Sequence, residues 1–408
     1  MKNASNRKFE MIVFSDEWEG LPFSCKHLLR DFLPEVPLTW VETIGLRAPS
    51  FSAYDLRRAV DKAVSWLHKP KSRPAQEKNL AIINPIQIPY NQIRWVRNLN
   101  KSLMVRSLNP FLSAHPGLRK VVLTTWPFMG NIIGSLGESL SIYYRVDDFS
   151  EFPCVDKIRI ASFEKELIGK ADVIIASADK LAQDIDKNGK VVECIPHGVD
   201  YAHFNENGKT GGEMSPVRAI PGPRIGFFGS INSWVDLDLL KIVADDHPEW
   251  SFILIGPSQL PESSLPKGNN IHFLGKVDYE ELPSYAQYFD VALIPFKVNA
   301  LTMGVNPLKM MEYFALGLPV VSTPIPEVLK YGEVLRVASD PKAFGEAIRA
   351  SLIEDGEHAR FLRRDVAKRH SWQEKSGYLK NLIEECLERK CKSGGFLSSE
   401  LRPTCDSN

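Results

Sequence analysis

Short apolar runs bounded by turn residues recur along the first half of the chain and alternate with amphipathic stretches. Phe9–Ser15 (FEMIVFS), Leu80–Pro85 (LAIINP), Val121–Thr125 (VVLTT), Ser141–Arg145 (SIYYR) and Ala171–Ala176 (ADVIIA) read as buried strands. Between them, Cys25–Leu33 (CKHLLRDFL) and Lys157–Lys170 (KIRIASFEKELIGK) read as helices. Alternation at this spacing predicts parallel βαβ units. After Phe204 the pattern stops, because NENGKTGGEMSPVRAIPGP is rich in Gly, Pro and Ser and has no hydrophobic period. It then restarts with the strands RIGFFGS (224–230), SFILIGP (251–257), NIHFLGK (270–276), DVALIPF (290–296) and PVVSTP (319–324). Helices are predicted over WVDLDLLKIVADD, YEELPSYAQYF, the NPLK segment, PKAFGEAIRASLI and residues 358–391. The expected organisation is an N-terminal domain over 1–205, a linker over 206–223 and a second α/β domain over 224–391, whose final helices are free to pack back on the first. Residues 392–408 read as a disordered tail.

Composition narrows the class. With 408 residues, 44% hydrophobic, 25% charged and no formal net charge, the chain has an ordinary globular profile. No run of about 18 apolar residues exists for a membrane span, and the apolar run Met11–Phe14 is too short for a signal-peptide core, which predicts a cytoplasmic protein. Cys25, Cys154, Cys194, Cys386, Cys391 and Cys405 are scattered without C-x-x-C spacing and read as free thiols. Charge is uneven: residues 1–120 carry 19 Lys and Arg against 10 Asp and Glu. Such a surplus either steers the protein to an anionic surface or reflects ordinary solvated faces.

Ligands of open parallel sheets sit at the carboxyl ends of strands. Gly229 and Ser230 end one strand before a helix, where a bare backbone and free N–H groups suit a phosphate. In NPLKMMEYFALG, Asn306 is the expected N-cap and Pro307 the first helical residue, so Lys309 falls in the first turn. A cation there opposes the helix dipole unless an anion is near. Glu312 follows on the same face, so the pair is either a salt bridge or a site for diphosphate and ribose. Beyond the strand SIYYR, alternation predicts that one of Asp147 and Asp148 pairs with Arg145 while the other stays available as a base. His197, in the turn PHGVD, can bond a phosphate or sugar hydroxyl. Two D-x-D sequences, Asp184/Asp186 and Asp236/Asp238, are expected within helices, where i and i+2 do not share a face, so no metal site is predicted.

LTMGVNPLKMMEYFALGLPVVSTPIPEV resembles the donor-site signature of GT-B glycosyltransferases, in particular the bacterial group 1 enzymes. GFFGSINSWVDLDLL resembles the start of their second domain, IPHGVD (195–200) the close of their first, and YYRVDDFSEFP (143–153) the matching stretch of teichuronic-acid-type and xanthan-type transferases. The resemblance implies two Rossmann-like doubly wound α/β domains facing an interdomain cleft. It implies transfer of a hexosyl or uronosyl group from a nucleoside diphosphate sugar, a UDP-sugar, to a lipid-linked glycan acceptor in polysaccharide biosynthesis. Position by position, it puts Glu312 on the ribose, Lys309 and the Gly229–Ser230 turn on the diphosphate, and Lys276 and Val277 along the base. Asp148 becomes the catalytic base, with His197 beside the chemistry and Lys26 and His27 toward the acceptor. No cofactor, metal or nucleic acid is implied, and a peripheral contact with the inner face of an anionic membrane is. One departure stands out: Gly304 occupies the place of a sugar-binding glutamate eight positions before Glu312, which favours inversion over retention. Two alternatives remain, a nucleotide-sugar epimerase of the same fold and a non-catalytic sugar-nucleotide-binding protein. A dehydrogenase is disfavoured, since no G-x-G-x-x-G follows either first strand.

Overall fold

The computed structural model describes residues 8–20, 23–45, 72–74, 77–91, 93–153, 155–186, 190–207 and 215–392. Internal contacts divide the chain into two units: one holds the chain up to Ser177, Leu181–Ile195 and the segment from Ser376 onward, the other Ala178–Lys180 and Pro196–Lys375. The change of unit therefore comes at Pro196, ahead of the linker read from composition, whose residues 208–214 lie outside the described residues. Of the tail read as disordered over 392–408, Lys392 instead ends a helix, and residues 393–408 lie outside the described residues, as do Cys154 and Cys405. The four described cysteines, Cys25, Cys194, Cys386 and Cys391, are free thiols.

In the first unit the strands are β1 (Phe9–Ser15), β2 (Leu38–Glu42), β3 (Ser72–Pro74), β4 (Leu80–Ile83), β5 (Arg119–Thr124), β6 (Leu140–Arg145), β7 (Val173–Ala176) and β8 (Val191–Cys194). They form one sheet in the order β3-β4-β2-β1-β5-β6-β7-β8, parallel except for β3 against β4. Every residue of β1 and β6 is buried, as a parallel sheet covered on both faces requires. The short β2 and the half-exposed β8 carry polar residues inside the strand, which hides them from a search for apolar runs. Helices α1 (Ser24–Arg30), α2 (Arg94–Leu112) and α3 (Lys157–Lys170) belong to this unit, and Asp156 caps α3 by accepting the Arg159 N–H. The short helices α4 (Asp179–Gln183) and α5 (Tyr201–Asn207) flank the change of unit. Because α4 ends at Gln183, Asp184 and Asp186 stand beyond the helix in which they were expected.

The second unit restarts the same winding. Its strands β9 (Arg224–Phe228), β10 (Ser251–Ile255), β11 (Ile271–Gly275), β12 (Val291–Ile294), β13 (Val320–Ser322) and β14 (Arg336–Val337) run in the order β11-β10-β9-β12-β13-β14, all parallel. In sequence numbers this is the doubly wound order 3-2-1-4-5-6, with a switch point between β9 and β12. Around the sheet lie α6 (Leu237–Asp246), the short α7 (Leu282–Ala286), α8 (Leu308–Leu316), α9 (Pro326–Leu329), α10 (Pro341–Glu354) and α11 (Glu357–Arg369). Last comes α12 (Trp372–Lys392), which starts in this unit and passes into the first from Ser376 onward. Asp236 and Asp340 cap α6 and α10 through the N–H groups of Leu239 and Ala343. Met310, Met311, Tyr313, Phe314 and Ala315 bury one face of α8 in the core, and the helix stops at Gly317, left-handed at φ 81°, with Leu318 N–H returned to Tyr313 C=O.

Where β9 and its other neighbour β10 end, the backbone is unusually close. Gly256 follows β10 at φ +140°, and a Cβ there would stand 2.0 Å from the Gly229 carbonyl oxygen. Neither the dihedral nor the space admits a side chain. Gly256→Ala is expected to destabilise the protein by about 3 kcal/mol or more, from strain and overlap together; an unchanged urea midpoint would refute this close approach.

Candidate functional site

At the end of β9, Gly229 adopts φ +135° while its N–H bonds Ile255 C=O at 2.9 Å. The Lys309 side chain lies against its bare Cα: a Cβ on Gly229 would be 3.0 Å from Lys309 Cε and 3.3 Å from Nζ. Lys309 Nζ also stands 4.6 Å from the centroid of the Phe296 ring, just past β12, and 5.3 Å from that of Phe227 in β9. Aromatic faces attract a cation without neutralising it. The first turn of α8 bears no side-chain cap, for Pro307 holds the N-cap position. Asn306, expected as the cap, is instead buried and donates from Nδ2 to Glu327 Oε2 at 3.1 Å. The physical reason is Glu327 itself, a carboxylate 1% exposed that must gather donors: Asn306, the Asp179 N–H at 2.9 Å and Lys330 Nζ at 2.8 Å.

Lys309 and Glu312, both half-buried, form no ion pair with each other, so the salt-bridge alternative falls. Among the described residues neither side chain has a hydrogen-bond or ion-pair partner. Burial holds the Lys309 ammonium down to about 8, partly offset by the Glu312 charge. Burial likewise raises the Glu312 carboxyl to about 7, against the pull of Lys309. Desolvated charged groups with no hydrogen-bond or ion-pair partner in the protein suit the binding of a polar ligand.

The remaining residues of this unit line up around that turn in different ways. Ser230 is half-buried directly after Gly229, and Ile231 N–H bonds Pro257 C=O at 3.0 Å. On the neighbouring strand end, Gly275 C=O accepts the Gly256 N–H at 2.7 Å, and Lys276 and Val277 follow it. Lys276 is exposed, 3.6 Å from Asp278, while Val277 packs on the core. Tyr279 stacks on His203 at 4.7 Å, and burial followed by the Glu312 charge pushes its phenol up. Gly304 is buried in a 3-10 turn, Thr302–Gly304. His197 is buried near Trp372, ring centroids 6.3 Å apart, and burial lowers it to about 4, so at neutral pH it is an uncharged imidazole.

In the first unit, Arg145 pairs with neither neighbouring aspartate. Its guanidinium forks onto Glu164, at 2.9 and 3.0 Å, and reaches Leu181 C=O at 2.8 Å. The strand ends at Arg145, so alternation no longer governs the two aspartates. Asp148 Oδ1 accepts from Ser150 N–H at 3.1 Å and Ser150 Oγ at 2.6 Å, capping the turn Phe149–Glu151. Asp147 has no hydrogen bond or ion pair among the described residues, and burial, with the Asp148 charge second, raises it to about 7. The geometry thus leaves Asp147 the freer carboxylate, whereas the family resemblance points to Asp148. Lys26 Nζ donates to Trp18 C=O at 2.6 Å and lies 5.1 Å from the Trp18 ring, tying α1 to the turn after β1, and His27 is half-buried beside it. Among the described residues no group of three or more His, Cys, Asp or Glu is placed to hold a metal ion.

Residues 222–355 match the family model of the group 1 glycosyl transferases. Over 226 residues the chain is 29% identical to a teichuronic acid biosynthesis glycosyltransferase of Bacillus subtilis (strain 168), whose own assignment is provisional; the match covers 52% of this chain and 57% of that relative. Among solved structures, an alpha,alpha-trehalose-phosphate synthase (UDP-forming) from Burkholderia vietnamiensis superposes with a TM-score of 0.64 at 12% identity, over 94% of this chain and 100% of the other. Anabaena HepE in complex with UDP and glucose does so with a TM-score of 0.61 at 11% identity, over 92% and 99%. At such identities the likeness speaks for the fold. Residues 222–355 are thus similar to the group 1 glycosyl transferases, and the chain has the two-sheet α/β fold of the GT-B proteins.

Proposed function

We propose that the protein moves a hexosyl or uronosyl group from a UDP-sugar to a lipid-linked glycan acceptor in the assembly of a surface polysaccharide. One observation carries the reading: the Lys309 ammonium lies without a counter-charge against Gly229, beside the uncapped first turn of α8. A diphosphate offers enough oxygens to take the free N–H groups and the ammonium together, and the helix dipole favours it. Glu312, one turn on, is a suitable acceptor for ribose hydroxyls, and Lys276 and Val277 border the base. UDP and glucose in HepE support the donor class, and the teichuronic acid relative supports the kind of product.

In the reaction proposed, an acceptor hydroxyl attacks the anomeric carbon. The bond from that carbon to the diphosphate oxygen breaks, and its electron pair leaves with UDP. Lys309 and the N–H groups of α8 stabilise the developing charge, and this reading needs no metal. Asp147 takes the hydroxyl proton, and its poise near 7 suits a general base at neutral pH. A single displacement inverts the anomeric centre, consistent with Gly304 in place of a donor-sugar carboxylate. A lipid-linked acceptor places the protein at the cytoplasmic face of a membrane.

In a thermal-shift panel of nucleoside diphosphates and their sugars, UDP and one UDP-sugar are expected to stabilise most, by about 2.7 kcal/mol at 100 times Kd. No shift with any nucleotide sinks the donor site, and epimerised donor in the absence of acceptor reassigns the enzyme as an isomerase. Lys309→Met removes an unpaired, desolvated charge, so the ligand-free Tm should stay level or rise while UDP binding weakens by about 1.5–3 kcal/mol, roughly ten- to a hundredfold. Since the folded pKa of Lys309 lies near 8, below the ordinary lysine value, its ammonium is lost as pH climbs through 8. Wild-type affinity for UDP should fall above that pH and the variant's should not; parallel pH profiles by calorimetry would discount the lysine. Asp147→Asn should lower kcat by about a hundredfold or more with the UDP-induced shift intact. Full turnover in that variant, or a retained anomer by NMR, would count against the displacement.

A further inference from the structure

The longest helix lying wholly within the first unit, α2, presents to solvent a face that the transfer reaction does not use. Its inner face is conventional: Val96, Asn100, Met104 and Leu108, spaced by four, are buried. Asn100 clamps the preceding loop by accepting the Ile88 N–H and donating to Ile88 C=O, both at 2.8 Å. On the other side, Trp95, Leu99, Ser102 and Arg106 fall on one stripe at helical spacing. Trp95 is 67% exposed and Leu99 39%, with Ile93 at 41% just before the helix and Ile86 at 43% in the clamped loop. Four large apolar side chains along one helix and its leading loop are more than scattered surface residues account for.

Along this stretch of the sequence the charge has one sign. Between Glu77 and Glu138, residues 78–137 contain seven Lys and Arg and not one Asp or Glu. Of the four cations on α2, Arg97 is occupied by Glu166 at 2.6 Å and the Phe128 carbonyl. Arg94, Lys101 and Arg106 have no ion-pair partner among the described residues. Arg94 also sits at the helix N-terminus, where a cation opposes the dipole. Unpaired cations beside an exposed tryptophan and aliphatic side chains match a surface that is anionic outside and apolar just beneath, as the interface of an anionic bilayer is. No helix among the described residues is long and apolar enough to span a membrane, so the contact is peripheral.

We infer that α2 and its leading loop dock the protein on an anionic lipid bilayer, Trp95, Leu99, Ile93 and Ile86 entering the interface while Arg94, Lys101 and Arg106 meet phospholipid headgroups. This rests on the membrane-surface part of the proposed function and is independent of the donor site. A protein partner or a second copy of this chain would gain less from three cations without ion-pair partners, because protein interfaces carry both signs and bury few lysines.

The test is flotation of the full chain with vesicles of phosphatidylglycerol and phosphatidylcholine, against phosphatidylcholine alone. Wild type should float with the anionic vesicles, less so as salt rises, and remain unbound with the neutral ones. Each cation near such a surface contributes roughly fivefold in partition, so Arg94→Gln/Lys101→Gln/Arg106→Gln should lose on the order of a hundredfold. Trp95→Ala/Leu99→Ala should also bind more weakly, and brominated lipid should quench the fluorescence of wild type more than that of this variant. Both variants alter exposed side chains, save the half-buried Lys101, and should keep the wild-type Tm and the UDP-induced shift, which separates failure of this surface from failure of the donor site. Equal flotation of wild type and both variants overturns the inference. So does wild-type indifference to phosphatidylglycerol, or a dimer that Trp95→Ala dissociates with no vesicle binding in any form.

Discussion

An ammonium withdrawn from water without a counter-ion is unfavourable by several kcal/mol unless its surroundings hold it in place, and in the second unit the surroundings of Lys309 are the core itself. Phe227 belongs to the first strand of the sheet, Phe296 follows its neighbour across the switch point, and the inner face of α8 is locked by Met310, Met311, Tyr313 and Phe314. The Tyr313 hydroxyl accepts the Phe228 N–H at 3.0 Å, joining the helix to the strand end that Gly229 terminates. Lys309 cannot retreat into solvent without giving up these contacts. Strand order, helix packing and the placement of one cation are therefore a single problem with one solution.

A comparable economy governs the carboxylates of the first unit. Glu164 takes both guanidinium bonds of Arg145 and the Tyr143 hydroxyl at 2.7 Å, so the buried cation of β6 is satisfied from α3. The two aspartates that follow are then free to differ. Asp148 closes a turn through Ser150, and its charge, added to burial, keeps the Asp147 proton held to higher pH. Two adjacent carboxyl groups with unlike surroundings acquire unlike duties, one structural and the other available for proton transfer.

Much of this was legible in the chain. Hydrophobic period alone announced two successive sets of parallel strands, and helix polarity alone marked Lys309 as out of place, because both depend on neighbours within a few residues. What escaped depends on distant partners. Val199, just past the unit boundary at Pro196, bridges the far-off Ser371 of the same unit, and Asn306 abandons the cap for Glu327, twenty-one residues on. The choice between Asp147 and Asp148 turned on where β6 ends and on which partner Arg145 finds, and strand alternation carries no information past the last paired residue. Glu327, buried among apolar neighbours in IPEV, had only its chemical oddity in that run as a signal.

The contact between Gly229 and Gly256 has a consequence for how such a site can diversify. Where two strand ends meet backbone to backbone, the surface offered to a ligand is made of peptide groups, which are the same whatever residues stand nearby. Mutation cannot tune that floor gradually, since the first carbon added to Gly256 already collides with it. If the proposed donor binds there, variation in which base or sugar is accepted accumulates on the rims, at exposed positions such as Lys276. The part of the proposed site that would face a phosphate is in this sense frozen by geometry, and the part that would select is left free to drift.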